Sequence, residues 1–137
     1  MPEFPLKVLS GSWAVARLAP LAPVPVWALE PCALAVVART SEELSIVCPE
    51  ERVPTDVQAE RGFRAIAVEG PVPLDVTGLM ASLASALAGA EISIFPVATY
   101  DTDYVLVRWQ RLERAIDALR SAGWVVKSGG PERGRSA

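Results

Sequence analysis

Residues 91–109, EISIFPVATYDTDYVLVRW, carry the clearest structural signal in the chain. Two strand-like runs, residues 92–98 and 104–109, flank a five-residue turn at residues 99–103, and this pattern predicts a β-hairpin. The turn holds two carboxylates, two hydroxyls and a phenol, although one Asp or Gly is enough to close a turn. The surplus of polar groups indicates a surface that recognises a ligand; a well-solvated hairpin tip is the alternative.

A strand and a helix are predicted before this hairpin. Residues 63–69 form a strand-like run, and a Gly/Pro-rich turn follows at residues 70–73. A helix is predicted over residues 76–87, because leucines recur there four residues apart on one face. Gly89 is expected to end it.

A second helix and a last strand are predicted after the hairpin. The helix covers residues 112–121 and ends near Gly123, and the strand covers residues 124–127. The resulting order, βαββαβ, is that of a ferredoxin-like α+β fold. In that topology the second strand, residues 92–98, lies at the sheet edge, where Pro96 interrupts no interior ladder of hydrogen bonds.

The N-terminal part of the chain is predicted to be rich in strands. Apolar runs at residues 6–9 and 13–18 indicate one hairpin around Ser-Gly-Ser, and runs at residues 33–38 and 44–48 indicate another. Residues 52–62, with a proline and many polar side chains, are typical of a connector.

A weak internal repeat favours a tandem architecture. With one gap, residues 39–47 parallel residues 98–107, and each segment follows a strand-like run. The chain is therefore interpreted as a degenerate N-terminal unit, residues 1–61, which has lost its helix between strands, and a complete unit, residues 62–127. Residues 128–137 lack apolar anchors and are predicted to be a disordered tail. Chance similarity of two hairpins is the alternative to the repeat.

Composition excludes several classes of function. The chain has 137 residues, a net charge of −3 and scattered cations, so we expect no nucleic acid partner. It has no histidine, which removes the common general base and the commonest metal ligand. Phosphate-loop, dinucleotide and zinc motifs are also absent from the sequence. We therefore expect no enzyme activity, no cofactor and no metal.

Cysteine usage and hydropathy favour a cytoplasmic protein. Cys32 and Cys48 stand in apolar runs and are predicted to be small buried hydrophobes in a reducing compartment. Residues 18–38 are almost uncharged, but four prolines would break any helix that spanned a membrane. Residues 1–7, MPEFPLK, lack the basic start and apolar helix of a signal peptide.

The loop before the first predicted helix completes a candidate site. Asp75 is placed to be the helix N-cap, and Gly78 in a first turn favours the close approach of a ligand or another backbone. Free N–H groups at a helix N-terminus suit a carboxylate, and Asp101 or Asp103 suits an ammonium group. Together these groups would match the two ends of an α-amino acid.

These segments resemble a known family. ELSIVCPE near residue 43 and GFRAIAVEGPVPLDVTGLMASLASALAGAEISIFPVATYDTDYVLV from residue 62 are similar to small bacterial proteins with a tandem pair of ACT domains, and to the ACT repeats of the CASTOR arginine sensors. The resemblance covers residues 6–126 and is most specific at ELSIVC, PLD..TG and TYDTDY. It implies a tandem ferredoxin-like fold, ligand binding between ACT units and a small effector, most often an amino acid.

The resemblance also implies particular ligand-binding residues. In the CASTOR-type site the equivalent of Asp103 faces the ligand, and the Gly78 region holds its backbone end. The full set carried over is Leu74, Asp75, Thr77, Gly78, Leu79, Thr99, Tyr100 and Asp103. Ala98, Pro96 and Val97 depart from the bacterial pattern, and Val76 replaces an acidic residue that helps the arginine sensors to hold a cationic side chain.

Three functions follow as hypotheses. The first is a regulatory or sensor module that binds an amino acid, as a homodimer or with a partner enzyme. The second is a ligand-free oligomerisation or scaffold domain, which the departures at Ala98 and Pro96 would permit. The third, an enzyme that uses Asp75, Asp101 and Asp103, lacks a supporting base, nucleophile or phosphate loop.

Overall fold

The computed structural model describes residues 4–128, which form one mixed sheet with helices packed against it. The strands within this range are β1 (Leu6–Val8), β2 (Trp13–Leu18), β3 (Val36–Arg39), β4 (Leu44–Pro49), β5 (Ala59–Val68), β6 (Phe95–Ala98), β7 (Asp103–Arg108) and β8 (Val126–Lys127). The helices are α1 (Val26–Leu29), α2 (Leu79–Gly89) and α3 (Leu112–Ser121). Of the predicted tail, residues 129–137 lie outside the described range.

The C-terminal half has the predicted ferredoxin-like fold. Strands β5 to β8 and helices α2 and α3 follow one another as βαββαβ, and α3 has the predicted bounds. β6 carries Pro96 and pairs only with β7 in the described sheet, so its predicted edge position is confirmed. The last strand is shorter than predicted and begins at Val126 rather than at residue 124.

β1 joins this half of the sheet, and the predicted hairpin between β1 and β2 is wrong. β1 lies between β5 and β8, because Leu6 pairs with Val68 on one side and with Val126 on the other. β2 follows β1 along the same edge of β5, where Trp13 pairs with Phe63. The Ser-Gly-Ser segment therefore continues the chain direction instead of reversing it, because β1 and β2 both pair antiparallel with β5.

The N-terminal half extends the same sheet through β2. The predicted β3–β4 hairpin is confirmed, with Arg39 paired to Leu44. A one-turn helix, α1, stands between β2 and β3, where no helix was predicted. The predicted connector at residues 52–62 is wrong in its second part, because β5 begins at Ala59. The predicted boundary between the two units, residues 61 and 62, lies inside this strand.

Two arginines hold the proline-rich segment between β2 and β3. Arg39 donates to the carbonyl oxygens of Pro20 and Ala22, and Arg52 donates to those of Glu30 and Pro31. The arginine side chains thus donate hydrogen bonds to backbone carbonyl groups that lie outside the strands and the long helices. No helix among residues 4–128 has the length and apolar composition that a membrane span requires.

Within residues 4–128 the core consists of three clusters on the two faces of the sheet. The helices cover one cluster, formed by Leu6, Val8, Ile66, Val68, Leu79, Leu83, Leu87, Ile92, Val105, Val107, Ala115, Leu119, Trp124 and Val126. The opposite face carries the second, formed by Trp13, Leu34, Val47, Phe63, Ala65, Val97 and Leu106. The third belongs to the N-terminal half and contains Ala14, Ala16, Ala28, Leu44, Ile46, Cys48 and Val53.

Cysteine placement agrees with prediction at only one of the two positions. Cys48 is buried in the third cluster, as predicted. Cys32 is exposed, and its thiol donates to the carbonyl oxygen of Leu34 at 3.3 Å. Cys32 precedes β3, and in this segment Leu34, not Cys32, is buried in the second cluster.

Both long helices end in the same hydrogen-bonded motif. After α2, the N–H groups of Glu91 and Ile92 donate to the carbonyls of Ala88 and Leu87; after α3, those of Gly123 and Trp124 donate to Arg120 and Leu119. These are the two bonds of a Schellman motif, which places one residue in the left-handed region. Gly123 takes that conformation, with φ 98°, which agrees with its predicted role at the end of the helix. In α2 the corresponding residue is Glu91, with φ 61°, and the predicted terminator Gly89 is still helical.

Candidate functional site

The loop before α2 is fastened to the tip of the β6–β7 hairpin. The Val72 N–H donates to the Asp101 carbonyl at 2.7 Å, and the Thr102 hydroxyl donates to the Val68 carbonyl at 2.7 Å. Gly70 permits this contact, because a Cβ there would lie 2.9 Å from the Asp101 carbonyl oxygen. The fold therefore brings the two segments of the predicted site together.

The hairpin tip owes its shape to Thr99. Its N–H and its hydroxyl both donate to the Thr102 carbonyl, at 2.8 and 2.9 Å, and the hydroxyl accepts from the Thr102 N–H. Thr40 makes corresponding bonds to Glu43 in the β3–β4 turn. The two turns that the sequence repeat aligned thus share a hydrogen-bonding scheme. Two of the tip's polar groups, the Thr99 and Thr102 hydroxyls, have these structural roles.

The start of α2 corrects two predictions. The helix begins at Leu79 rather than near residue 76, so Asp75 is not its N-cap; Asp75 lies in a turn closed by a bond from Val76 N–H to the Pro73 carbonyl. Gly78 is the N-cap, with φ 83°. A Cβ on Gly78 would meet no described atom within 4 Å, so the positive φ, and not the close approach of another backbone, requires glycine; the close approach of a ligand stays a prediction.

A cavity of about 300 Å³ lies between the start of α2 and the hairpin tip. Six residues of the predicted site line it: Leu74, Gly78, Leu79, Thr99, Tyr100 and Asp103. Asp75 lines a neighbouring hollow together with Asp101, and Thr77 lies in the loop without lining the cavity. The lining residues that the sequence analysis missed are Val72, Pro73, Val76, Met80, Ala81, Ala98 and Thr102.

The cavity is mostly apolar, with two polar poles. Asp103, the first residue of β7, is half-buried and is the one carboxylate among the described lining residues, which include no Lys or Arg. The other pole is the first turn of α2, where, within the described range, no side chain caps the backbone N–H groups. Helix N-termini favour anions and a carboxylate favours cations, so the two poles are complementary to a small zwitterion. Leu74 and Tyr100, 70% and 80% exposed, stand at the mouth.

The described residues contain no group of three His, Cys, Asp or Glu side chains that could hold a metal ion. Asp75 and Asp101 face a different hollow from Asp103, so the three carboxylates named for the enzyme hypothesis do not converge on one cavity.

Comparison with known proteins places the fold. The family model for the ACT domain matches residues 58–121, and a second model, for an N-terminal domain, matches residues 11–56. A crystal structure of a protein from Agobacterium tumefaciens is 37% identical, with a TM-score of 0.88, over 96% of this chain and 98% of that one. The chain therefore carries an ACT domain at residues 58–121. As a whole it belongs to the same family as the Agobacterium protein, with which it shares nearly its full length.

More distant structures share the fold alone. A Vibrio cholerae protein of unknown function is 23% identical, with a TM-score of 0.68, over 87% of this chain and 89% of that one. The regulatory subunit of aspartate kinase from Thermus thermophilus is 12% identical, with a TM-score of 0.61, over 86% and 97%. No curated protein shows significant similarity to the chain.

Proposed function

We propose that the protein is a regulatory module that binds a free α-amino acid in the cavity between α2 and the β6–β7 hairpin. The observation that carries this proposal is the pairing of two complementary poles across one small cavity: the N-terminus of α2 and the carboxylate of Asp103. The ligand carboxylate lies at the helix N–H groups and its ammonium group at Asp103. The volume of about 300 Å³ is at the lower end of small-molecule sites.

The lining favours an amino acid with an apolar side chain. A cationic side chain would need a second carboxylate beside Asp103, and Val76 stands where the arginine sensors have an acidic residue. An anionic side chain would need a cation, which the lining lacks. Leu74, Val76 and Met80 instead offer apolar contact, so we infer an aliphatic or aromatic effector rather than arginine.

The fold of regulatory aspartate kinase subunits supports a regulatory role rather than catalysis. We propose that the module acts in the cytoplasm and signals by pairing, either with a second copy of itself or with a partner enzyme. The tandem interpretation and the likeness to the CASTOR sensors belong to this proposal, supported by the matching turns at Thr40 and Thr99.

Asp103→Asn tests this function. A thermal-shift screen of the common amino acids first identifies the ligand, and isothermal titration then compares wild type with the variant. We expect loss of the charge to weaken binding by about 2–5 kcal/mol, or roughly 30-fold or more. Asp101→Asn is the matched control, because Asp101 lies on the same tip but faces the neighbouring hollow, and it should bind like wild type. Equal affinities of wild type and Asp103→Asn would remove Asp103 from the site.

A scaffold is the second candidate, favoured by one observation. Leu74 and Tyr100 expose large apolar surfaces side by side at the cavity mouth, where a protein surface could cover them. A screen without any stabilising amino acid, together with a dimer that Tyr100→Ser dissociates in light scattering, would favour this function over ligand binding.

A further inference from the structure

A second and larger cleft lies at the other end of β7. Asp103 begins β7 beside the proposed amino-acid cavity, whereas Arg108 ends it beside this cleft of about 730 Å³. The principal lining side chains are Arg61, Arg108, Arg111, Glu91 and Trp109. The two cavities share no lining residue, so they are separate sites.

Positive charge is concentrated in this cleft. Three arginines and one glutamate line it, and Glu60 pairs with one of the arginines from outside the lining, so the cleft is still positive, whereas the whole chain has a formal charge of −3. Clefts lined by one sign of charge focus the electrostatic field and raise the local concentration of ligands of the opposite sign. The cleft therefore favours small anions.

The three guanidinium groups are held to different degrees. Arg61 donates to the carbonyl oxygens of Glu50, Val53 and Pro54, and these bonds fix the position of its guanidinium group at the cleft. Arg108 is paired with the exposed Glu60 at 2.9 Å and lies over the Phe63 ring. Such a solvated pair is weak, so a phosphate can compete with the carboxylate.

Arg111 is the group best placed to bind a ligand. Its side chain is exposed and makes no hydrogen bond or ion pair with any other residue in the range 4–128. Guanidinium groups bind phosphate through two parallel N–H donors, which gives both strength and orientation. Trp109, half-buried two residues earlier, offers a flat surface in the same cleft.

We propose that this cleft binds a phosphorylated small molecule with a planar ring, of the class of nucleoside monophosphates. The phosphate lies between Arg111 and Arg108, with Arg61 adding charge behind it, and the ring lies against Trp109. The volume of about 730 Å³ is within the range of small-molecule sites and exceeds what phosphate alone needs.

Isothermal titration with adenosine monophosphate tests the proposal on the full chain. We expect wild type to bind this probe at least about tenfold more tightly than inorganic phosphate or adenosine, because each of those supplies only one contact. Arg111→Gln should weaken binding of the probe at least about tenfold. The matched control is Arg17→Gln, which removes another exposed arginine far along the sheet in β2 and should bind like wild type.

Trp109→Leu distinguishes the contact to the planar ring from the contact to the phosphate. It should weaken binding of adenosine monophosphate severalfold and leave the affinity for inorganic phosphate unchanged. The proposal is overturned if the probe does not bind at millimolar concentration, if Arg111→Gln binds it like wild type, or if inorganic phosphate binds as tightly as the nucleotide.

Discussion

At the scale of single residues, the ends of the two long helices differ at one informative position. Glu91 and Gly123 occupy the same place in the same motif, with φ 61° and 98°. A side chain in this conformation brings Cβ close to the following carbonyl, which glycine avoids. The α2 end is therefore strained where the α3 end is relaxed.

Glu91→Gly should stabilise the protein. Removing the Cβ relieves strain in the folded chain, whereas glycine makes the unfolded chain more flexible and so opposes this gain. The net effect should be a rise of about 0.5–1 kcal/mol in the free energy of unfolding. Urea unfolding followed by circular dichroism measures it. Gly123→Ala is the converse control and should lower stability by about 1 kcal/mol. A loss of stability in Glu91→Gly would show that the glutamate makes a compensating contact.

Cys48 should make stability depend on alkaline pH. Burial raises the pKa of its thiol from 9.0 to about 11. Below pH 9 the thiol is protonated in both the folded and the unfolded chain, so the buried thiol makes its full contribution to the free energy of unfolding. Between these values the unfolded chain releases the proton and the folded chain retains it, so the free energy of unfolding falls with rising pH, by about 3 kcal/mol over the whole window.

The measurement compares wild type with Cys48→Ala in urea at pH 8 and pH 10. The stability advantage of wild type should shrink by about 1.4 kcal/mol between these two values. The exposed Cys32 is replaced by Ser in both proteins, so that no other thiol titrates. Parallel pH profiles for the two proteins would contradict the burial-raised pKa.

At the scale of elements, the contact between the α2 loop and the hairpin tip organises the candidate site. Gly70 makes it sterically allowed, and the bonds from Val72 and Thr102 fasten it. The cavity exists because two segments separated by a helix and a strand are held against each other.

Gly70→Ala should loosen this contact. Its new Cβ would lie 2.9 Å from two backbone atoms, so the loop must move, at a cost of about 1–3 kcal/mol in the free energy of unfolding. Gly89→Ala is the control, because its Cβ meets nothing and alanine favours the helix by up to about 1 kcal/mol. Thermal unfolding and amino-acid titration should show both stability and affinity reduced in Gly70→Ala alone. Unchanged values there would mean that the loop has room to adjust.

Local patterns predicted the elements better than their pairing. The bounds of α3 were predictable because its apolar face is regular and Gly123 follows it. The start of α2 was missed because Asp75 and Val76 suit a first helical turn, whereas the left-handed Gly78 delays it. The pairing of β1 could not be inferred, since its partners lie about 60 and 120 residues away and leave no local trace.

The candidate site, too, was predictable from the sequence only in part. The polar tip and the Gly-containing loop were visible as unusual local chemistry, and six of the residues proposed from them line one cavity. The apolar part of the lining, such as Met80 and Ala98, carries no such mark, because apolar residues on a helix or strand are expected in any core. Whether such an apolar residue lines a cavity or packs in the core depends on how α2 packs beside the hairpin, which the sequence does not show.

At the scale of the whole molecule, β5 joins the two halves of the sheet. Its first part pairs with β2, its last part pairs with β1, and its other edge pairs with β7. β1 in turn supplies Leu6 and Val8 to the cluster beneath the helices. The ACT-like half is therefore incomplete without residues from the start of the chain.

A fragment of residues 58–128 should not fold on its own. It would lack β1, leave β8 without the strand it pairs with and expose the buried surface that Leu6 and Val8 cover. We expect a flat urea profile by circular dichroism, whereas residues 4–128 should unfold in one cooperative step. Cooperative unfolding of the short fragment would show that β8 can move across to pair directly with β5.

The parallel pairing of β1 with β8 also determines how the molecule would respond to tension. β1 is the first described strand and β8 the last, and Leu6 lies beside Val126. A force that pulls the two chain ends apart would slide these strands past each other. Their hydrogen bonds would then be loaded together in shear instead of opening one after another. Resistance to stretching would therefore reside in the shortest strands of the sheet.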